Sequence, residues 1–391
     1  MIRTIIIKSL LINRKYRYSR LGIVLICLTS LLFLISCNIE SPTDSIESGT
    51  TINLKWNKAY PEDNIEKAEI GLKWGLSFLG AESINEGIII KNELITIDIE
   101  LLGFKDSAKE NLKILQKVIQ NSEEYQINNH IDLGRYISLL IGSSEHYYAI
   151  TGLAENLNDF LDQYVLNPER GYINNSSVSF LNRIIAFSSQ KGLNQAFVSF
   201  EVTTADQAPN EYETLEIMAN GQLRFGIFDE NGVRKPAVNP MDTNAGKPAK
   251  CLWCHESSIQ FLFAQQNDIE GFLPQTQFKD SLFIFNSELH TKRLDLDTGI
   301  DFSQTQEHTL MELLYITFME PNVERLSLEW NLSIDDVINR LIGFETHTHK
   351  EFPFLGDLFN RNSIETQAPF KGLQVSGNIR EASAVEVNYI N

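Results

Sequence analysis

YETLEIMANGQLRFGIF, residues 212–228, alternates apolar and polar side chains on both sides of Asn220-Gly221. A period of two belongs to a strand that lays one face on a core. Asn-Gly between two such runs is a strong signal for a two-residue hairpin. Residues 212–218 and 222–228 are therefore predicted to pair as strands, with 197–202 as a third, and Asp229-Glu230-Asn231-Gly232 closes the sheet.

Upstream of this sheet the apolar period changes to that of helices. Pro61-Glu62-Asp63 opens a segment with Ile65, Leu72, Leu76 and Leu79 on helical spacing. Helices are also predicted over 105–120, 131–148, 153–164 and 177–187, with short strands at 88–90 and 94–99 around Asn92. Downstream, residues 236–250 hold Pro236, Pro240, Gly246 and Pro248 and read as an irregular loop. Helices follow over 278–289, 308–320 and 333–342, the last capped by Ser333 with Asp336 three residues on. The fold class is α+β, predominantly helical, with a small antiparallel sheet just before that loop. With 43% apolar residues, the chain from Trp56 onward is long enough for one large domain or two.

The loop leads into Cys251-Leu252-Trp253-Cys254-His255. C-x-x-C-H is the attachment sequence of c-type haem: two thiols three positions apart bond the porphyrin, and the next imidazole becomes proximal iron ligand. Half of a zinc site is an alternative, but it needs a second ligand pair, and His347-Thr348-His349 is more tightly spaced than usual. A thioredoxin-type pair would want a strand before it and a helix after it. The expectation is one covalent haem c on Cys251 and Cys254 with His255 on the iron, and Trp253 packed beside the haem edge.

The amino terminus concerns export. Arg3, Lys8, Arg14, Lys15, Arg17 and Arg20 precede an apolar run over 21–35, short for a membrane span and suited to a signal peptide. The run ends in Leu34-Ile35-Ser36-Cys37, which resembles the lipobox of bacterial lipoproteins. The resemblance implies cleavage before Cys37, acylation of that cysteine, and anchoring in the cell envelope. It divides the chain into a signal peptide (1–36), an acylated tether (37–55), a mainly helical region (56–190) and a haem-bearing region (191–391). Cys27 leaves with the leader, so each of the four cysteines has a use.

The Cys251–His255 motif makes the chain resemble a mono-haem c-type cytochrome, which implies electron transfer. The order of sheet then motif also weakly resembles the β-rich c-type haem enzymes that oxidise small nitrogen compounds. Two other roles stay open: a haem enzyme or ligand sensor with an open iron site, and a binding protein with structural haem. The net charge of −18 becomes more negative once the basic leader is removed. That argues against nucleic acid and suits a redox partner with a basic face. For the distal ligand, the 308–320 helix offers Met311 first, with His308, Met319 and the separate His290 behind it.

Overall fold

The computed structural model describes residues 50–390. It opens with strand β1 (Thr51–Lys55), whose Leu54 is fully buried, so the tether expected over 37–55 stops short of Thr51. Helix α1 (Ile65–Phe78) follows, its first turn capped by Asn64, which accepts from the Lys67 amide at 2.9 Å. Strands β2 (Ile88–Lys91) and β3 (Leu94–Asp98) form the expected hairpin, with Asn92 in the left-handed conformation. Helices α2 (Asp106–Gln120) and α3 (Glu123–Asn128) come next, then β4 (Ile131–Asp132). The four strands make one sheet in the order β2-β3-β1-β4, with β4 parallel to β1.

The helix predicted over 131–148 is three elements. Its first residues are β4, and the rest splits into α4 (Leu133–Ile141) and α5 (Ser144–Thr151). Asp132 and Ser143 each accept from an amide three residues on, so two N-caps interrupt what apolar spacing alone reads as continuous. The helix predicted over 153–164 shrinks to α6 (Leu157–Leu161).

The second sheet is larger than predicted. Five antiparallel strands run in chain order: β5 (Gly171–Ile173), β6 (Asn182–Phe187), β7 (Ala196–Val202), β8 (Glu211–Ile217) and β9 (Leu223–Asp229). β6 corrects the helix predicted over 177–187. It lies between β5 and β7, with apolar residues on both faces, so its sequence is a run that mimics helical spacing. The remaining helices are α7 (Pro248–His255), α8 (Gln275–Arg293), α9 (His308–Met319), α10 (Val323–Trp330), α11 (Ile334–Arg340) and α12 (Arg361–Ile364), with a two-stranded ladder of β10 (Thr346–His347) and β11 (Leu358–Phe359) between the last two helices.

One apolar core runs from Ile52 to Ile390 and takes residues from both regions read in the sequence. Its axis is α9, packed against α1 and α4. Small residues permit the approach: a Cβ on Gly71 would lie 2.7 Å from the Leu310 carbonyl oxygen, and one on Gly134 2.5 Å from Phe318 Cβ. At the end of α9 the Phe318 ring is faced by the guanidinium groups of Arg135, Arg325 and Arg361 at 5.0, 5.5 and 4.1 Å. Glu124, Asp132, Glu329 and Glu365 neutralise them.

Gly71→Ala tests the α1–α9 contact. Alanine gains about 1 kcal/mol of helix propensity, but the atom it would strike is backbone and cannot swing aside. Urea denaturation is expected to show a net loss of about 1–3 kcal/mol. A net gain would mean that the two helices are not this close.

Candidate haem-attachment site

The motif is on a helix, which corrects the irregular loop expected for it. Residues 236–247 are irregular, but Pro248 occupies the first turn of α7, where its missing N–H leaves no bond unmade. Lys247, 1% exposed, sits just before it and is held by the carboxyl-terminal segment: its Nζ reaches Glu386 at 2.9 Å and the Ala384 carbonyl at 3.1 Å. Positions i and i+4 of a helix share one side, so α7 turns Cys251 and His255 the same way, while Cys254 at i+3 lies at the edge of that side. Leu252 and Trp253 are buried. Trp253 packs on the Tyr315 ring at 5.4 Å and under Arg380 at 5.5 Å, so it does not line the cavity described below.

The chain turns sharply after His255. Glu256 and Ser257 both take left-handed backbone, with φ of 49° and 57°, a costly conformation for non-glycine residues. The tip of the β8–β9 hairpin holds this turn. Ser257 Oγ donates to Gln222 Oε1 at 2.6 Å, and Arg293 donates through Nε to the Gly221 carbonyl at 2.8 Å and through Nη1 to the Ser257 carbonyl at 2.5 Å. Burial pulls Arg293 down to about 9; the two carbonyls and the Phe302 ring 4.6 Å away favour its charged form. Gly221, at φ 83°, has no room for a side chain: a Cβ would meet Leu296 at 2.9 Å and Arg293 at 3.1 Å.

Between α7 and the five-stranded sheet is a cavity of about 130 Å³, below the roughly 300–1,000 Å³ usual for small-molecule and cofactor sites. Cys251 and His255 line it from the helix; Phe197, Leu215 and Phe225 line it from the sheet; Phe263, Phe278 and Leu282 close it. The His255 ring packs 5.2 Å from that of Phe225, and Nδ1 lies 3.4 Å from the Ser258 carbonyl. A carbonyl at Nδ1 makes that nitrogen the N–H tautomer and leaves Nε2 as the free lone pair. Burial pushes His255 down to about 4, with Arg183 adding to the effect against the Ser258 carbonyl. Burial also pushes the Cys251 and Cys254 thiols up. The site therefore presents a neutral imidazole and two protonated thiols.

The donor set matches haem attachment: one thiol and one imidazole with a free nitrogen meet a mostly apolar cavity, and the second thiol lies three residues from the first. The cavity itself, at about 130 Å³, is smaller than a haem needs. Cys254 is not part of the cavity wall; it lies on the flank toward Lys250, Glu312, Glu351 and Arg380.

Met311, the expected distal ligand, is not among the residues that line the cavity. Its sulfur packs toward α1, 3.6 Å from where a Gly75 Cβ would be, and it does not line the cavity. Met319 is buried core, His290 is exposed, and His308 turns Nδ1 to the Thr305 carbonyl at 2.8 Å. His347 pairs with Glu320 at 2.8 Å, and among the described residues no cluster of three His, Cys, Asp or Glu side chains is arranged to hold a metal ion. Cys37 and the leader lie outside the described residues; among those described, no helix is long and apolar enough to cross a membrane.

Sequence reasoning missed Arg293, Ser257 and a charged corner of the cavity formed by Arg183, Ser199 and Glu213. For Glu213 a signal existed, because it shares strand parity with the buried Leu215 and Ile217. The chain matches no protein-family model, and neither a curated protein nor a solved structure similar to it was found.

Two measurements test this geometry. Histidine nitrogen shifts in the haem-free chain are expected to show His255 as the neutral Nδ1–H tautomer down to about pH 4; a ring that titrates near 6.5 would contradict the burial. Arg293→Gln is expected to cost about 1–3 kcal/mol in urea denaturation, because two buried carbonyls lose a donor. A change within error would remove Arg293 from the support of the motif.

Proposed function

We propose that the mature chain is an exported, lipid-anchored c-type haem protein that carries out one-electron redox chemistry. The observation that carries the reading is the joint placement of Cys251 and His255 on one apolar cavity, with His255 held by a backbone carbonyl so that Nε2 is free. Cys251 and Cys254 would hold the group covalently and His255 would be its proximal ligand. So held, a haem supplies an Fe(III)/Fe(II) couple.

The protein's own part is to orient the imidazole and exclude water. The Ser258 carbonyl fixes the tautomer, Phe225 fixes the ring plane, and the left-handed turn at Glu256-Ser257 keeps the imidazole on the sheet side of α7. The aromatic and aliphatic cavity wall disfavours the more charged oxidation state, which tends to raise the reduction potential. With the basic leader removed, the acid excess favours a donor or acceptor protein with a basic face. The lipobox-like end of the leader supports acylation of Cys37 and anchoring at the envelope.

A second reading, binding of a small ligand at the iron, is favoured by Met311 facing Gly75 and not the cavity. The ferrous spectrum separates the two. Indifference to carbon monoxide supports the carrier, and rapid binding supports the ligand-binding protein.

Protein from an export- and maturation-competent host is expected to keep its haem through denaturation and acid–acetone extraction, and Cys251→Ala with Cys254→Ala is expected to abolish that colour. Stoichiometric zinc without haem would overturn the reading. Mass spectrometry of the native amino terminus is expected to find acylated Cys37; an intact leader would contradict the anchor.

A further inference from the structure

Helix α11 buries Val337 and Leu341 in a small core shared with Leu326 and Trp330 of α10, which gives it an inner face. On a surface helix the outer face is ordinarily polar. Here Ile334, Ile338 and Ile342 follow one another at i, i+4 and i+8, and they are 47%, 48% and 74% exposed. Leu328 of α10 and Ile127 of α3 are also open to water, at 45% and 63%. Both line one cavity with Asn331, which lies two residues before the Ser333 cap of α11. Five large apolar side chains are thus exposed on three neighbouring elements. Grouped in this way, and not scattered singly, such residues mark an interaction surface.

The patch borders the place where the chain enters the fold. Gln120 donates to the Thr51 carbonyl at 2.7 Å, and Asn53 donates to the Asn129 carbonyl, just past α3, at 3.2 Å. Lys55 then ends β1 on the wall of the same cavity that Ile127 and Leu328 line. From the entry to that wall is one five-residue strand, about 17 Å long. In the other direction, residues 38–50 are all that separate Cys37 from β1, and even fully extended they span at most about 45 Å. The exposed positions of α11 also carry Asp335, Asp336 and Arg340, so no cluster of bases draws this face to an anionic partner.

We propose that this patch lies on the bilayer that holds acylated Cys37, with Ile334, Ile338 and Ile342 set into the boundary between headgroups and acyl chains and Ile127 and Leu328 beside them. This rests on the anchoring reading and not on the haem. Acyl chains keep a protein at a membrane in any orientation, whereas a face that withdraws apolar area from water selects one. The anchor also makes the second contact effectively intramolecular, so a patch too small to bind a membrane alone suffices. The lipid it fits has a neutral headgroup, such as phosphatidylcholine, since Asp335 and Asp336 would oppose an anionic surface. An apolar contact of this kind is not screened by salt.

Tryptophan fluorescence of the full mature chain, acylated at Cys37 and reconstituted in phosphatidylcholine vesicles, tests this. Ile338→Trp probes the patch, and Met241→Trp probes another apolar position, 81% exposed on the loop before α7. The parent is measured in parallel to subtract the four native tryptophans. The emission added by Ile338→Trp is expected to shift to the blue on vesicles and to be largely lost when the lipid carries brominated acyl chains, at low and high salt alike. The emission added by Met241→Trp is expected to do neither. An acylated chain that floats with the vesicles while Ile338→Trp stays unquenched overturns the inference and leaves the anchor standing. Equal quenching at the two positions overturns it as well, because no face is then selected, and so does quenching that high salt abolishes. A chain that lacks acyl groups on Cys37 and does not float overturns both readings. If Ile338→Trp does not fold, Ile342→Trp, just past the end of α11, takes its place with the same outcomes.

Discussion

The tip of the β8–β9 hairpin is the point on which the other elements of the site depend. Asn220 donates to the carbonyls of Ser77 and Ala81 at the end of α1, at 2.7 and 2.9 Å. Gly221 gives its carbonyl to Arg293 from α8, and Gln222 takes the Ser257 hydroxyl just past the motif. Three consecutive residues thus fasten three helix ends. All three groups are buried, so each bond is made without competition from water and would be costly to leave unmade. Left-handed backbone at two adjacent non-glycine residues survives after His255 because this tip holds it from outside.

What the tip fixes is the direction of one short helix. α7 turns Cys251 and His255 toward the sheet and buries Leu252 and Trp253. The carboxyl-terminal segment secures the other end of the helix through Lys247, so both ends are held by parts of the chain distant in sequence. Burial favours a neutral imidazole and protonated thiols in the unloaded chain. Arg183, Ser199 and Glu213 also line the cavity, with the buried Glu201 behind them, so its wall is not wholly apolar.

Much of this was legible in the sequence, and the limits have physical causes. The Asn220-Gly221 hairpin could be read because a left-handed turn restricts residue type, and alternation marked β8 and β9. The helix over 278–289 was read short at both ends, and the β2–β3 hairpin came close to its final bounds. β6 was misread because a strand buried on both faces loses its alternation. The N-caps at Asp132 and Ser143 were passed over because apolar spacing continues across them. The motif's helix was obscured by Pro248, which reads as a breaker and serves as a first-turn residue. Periodicity places Met311 on a helix face, and only tertiary packing sets that face against Gly75 of α1. Arg293 and Ser257 carried no local signal, since their roles exist only once the hairpin tip reaches them.

The account's central claim is that α7 presents Cys251, Cys254 and His255 as one attachment site. Mass analysis of the proteolytic peptide that begins at Cys251, after cleavage at Lys250, tests it most directly. The account predicts that this peptide carries the added mass of one haem, bonded through both cysteines, in protein matured in an exporting host. An unmodified peptide with two free thiols from the same host, or one with the two cysteines joined to each other, would contradict it.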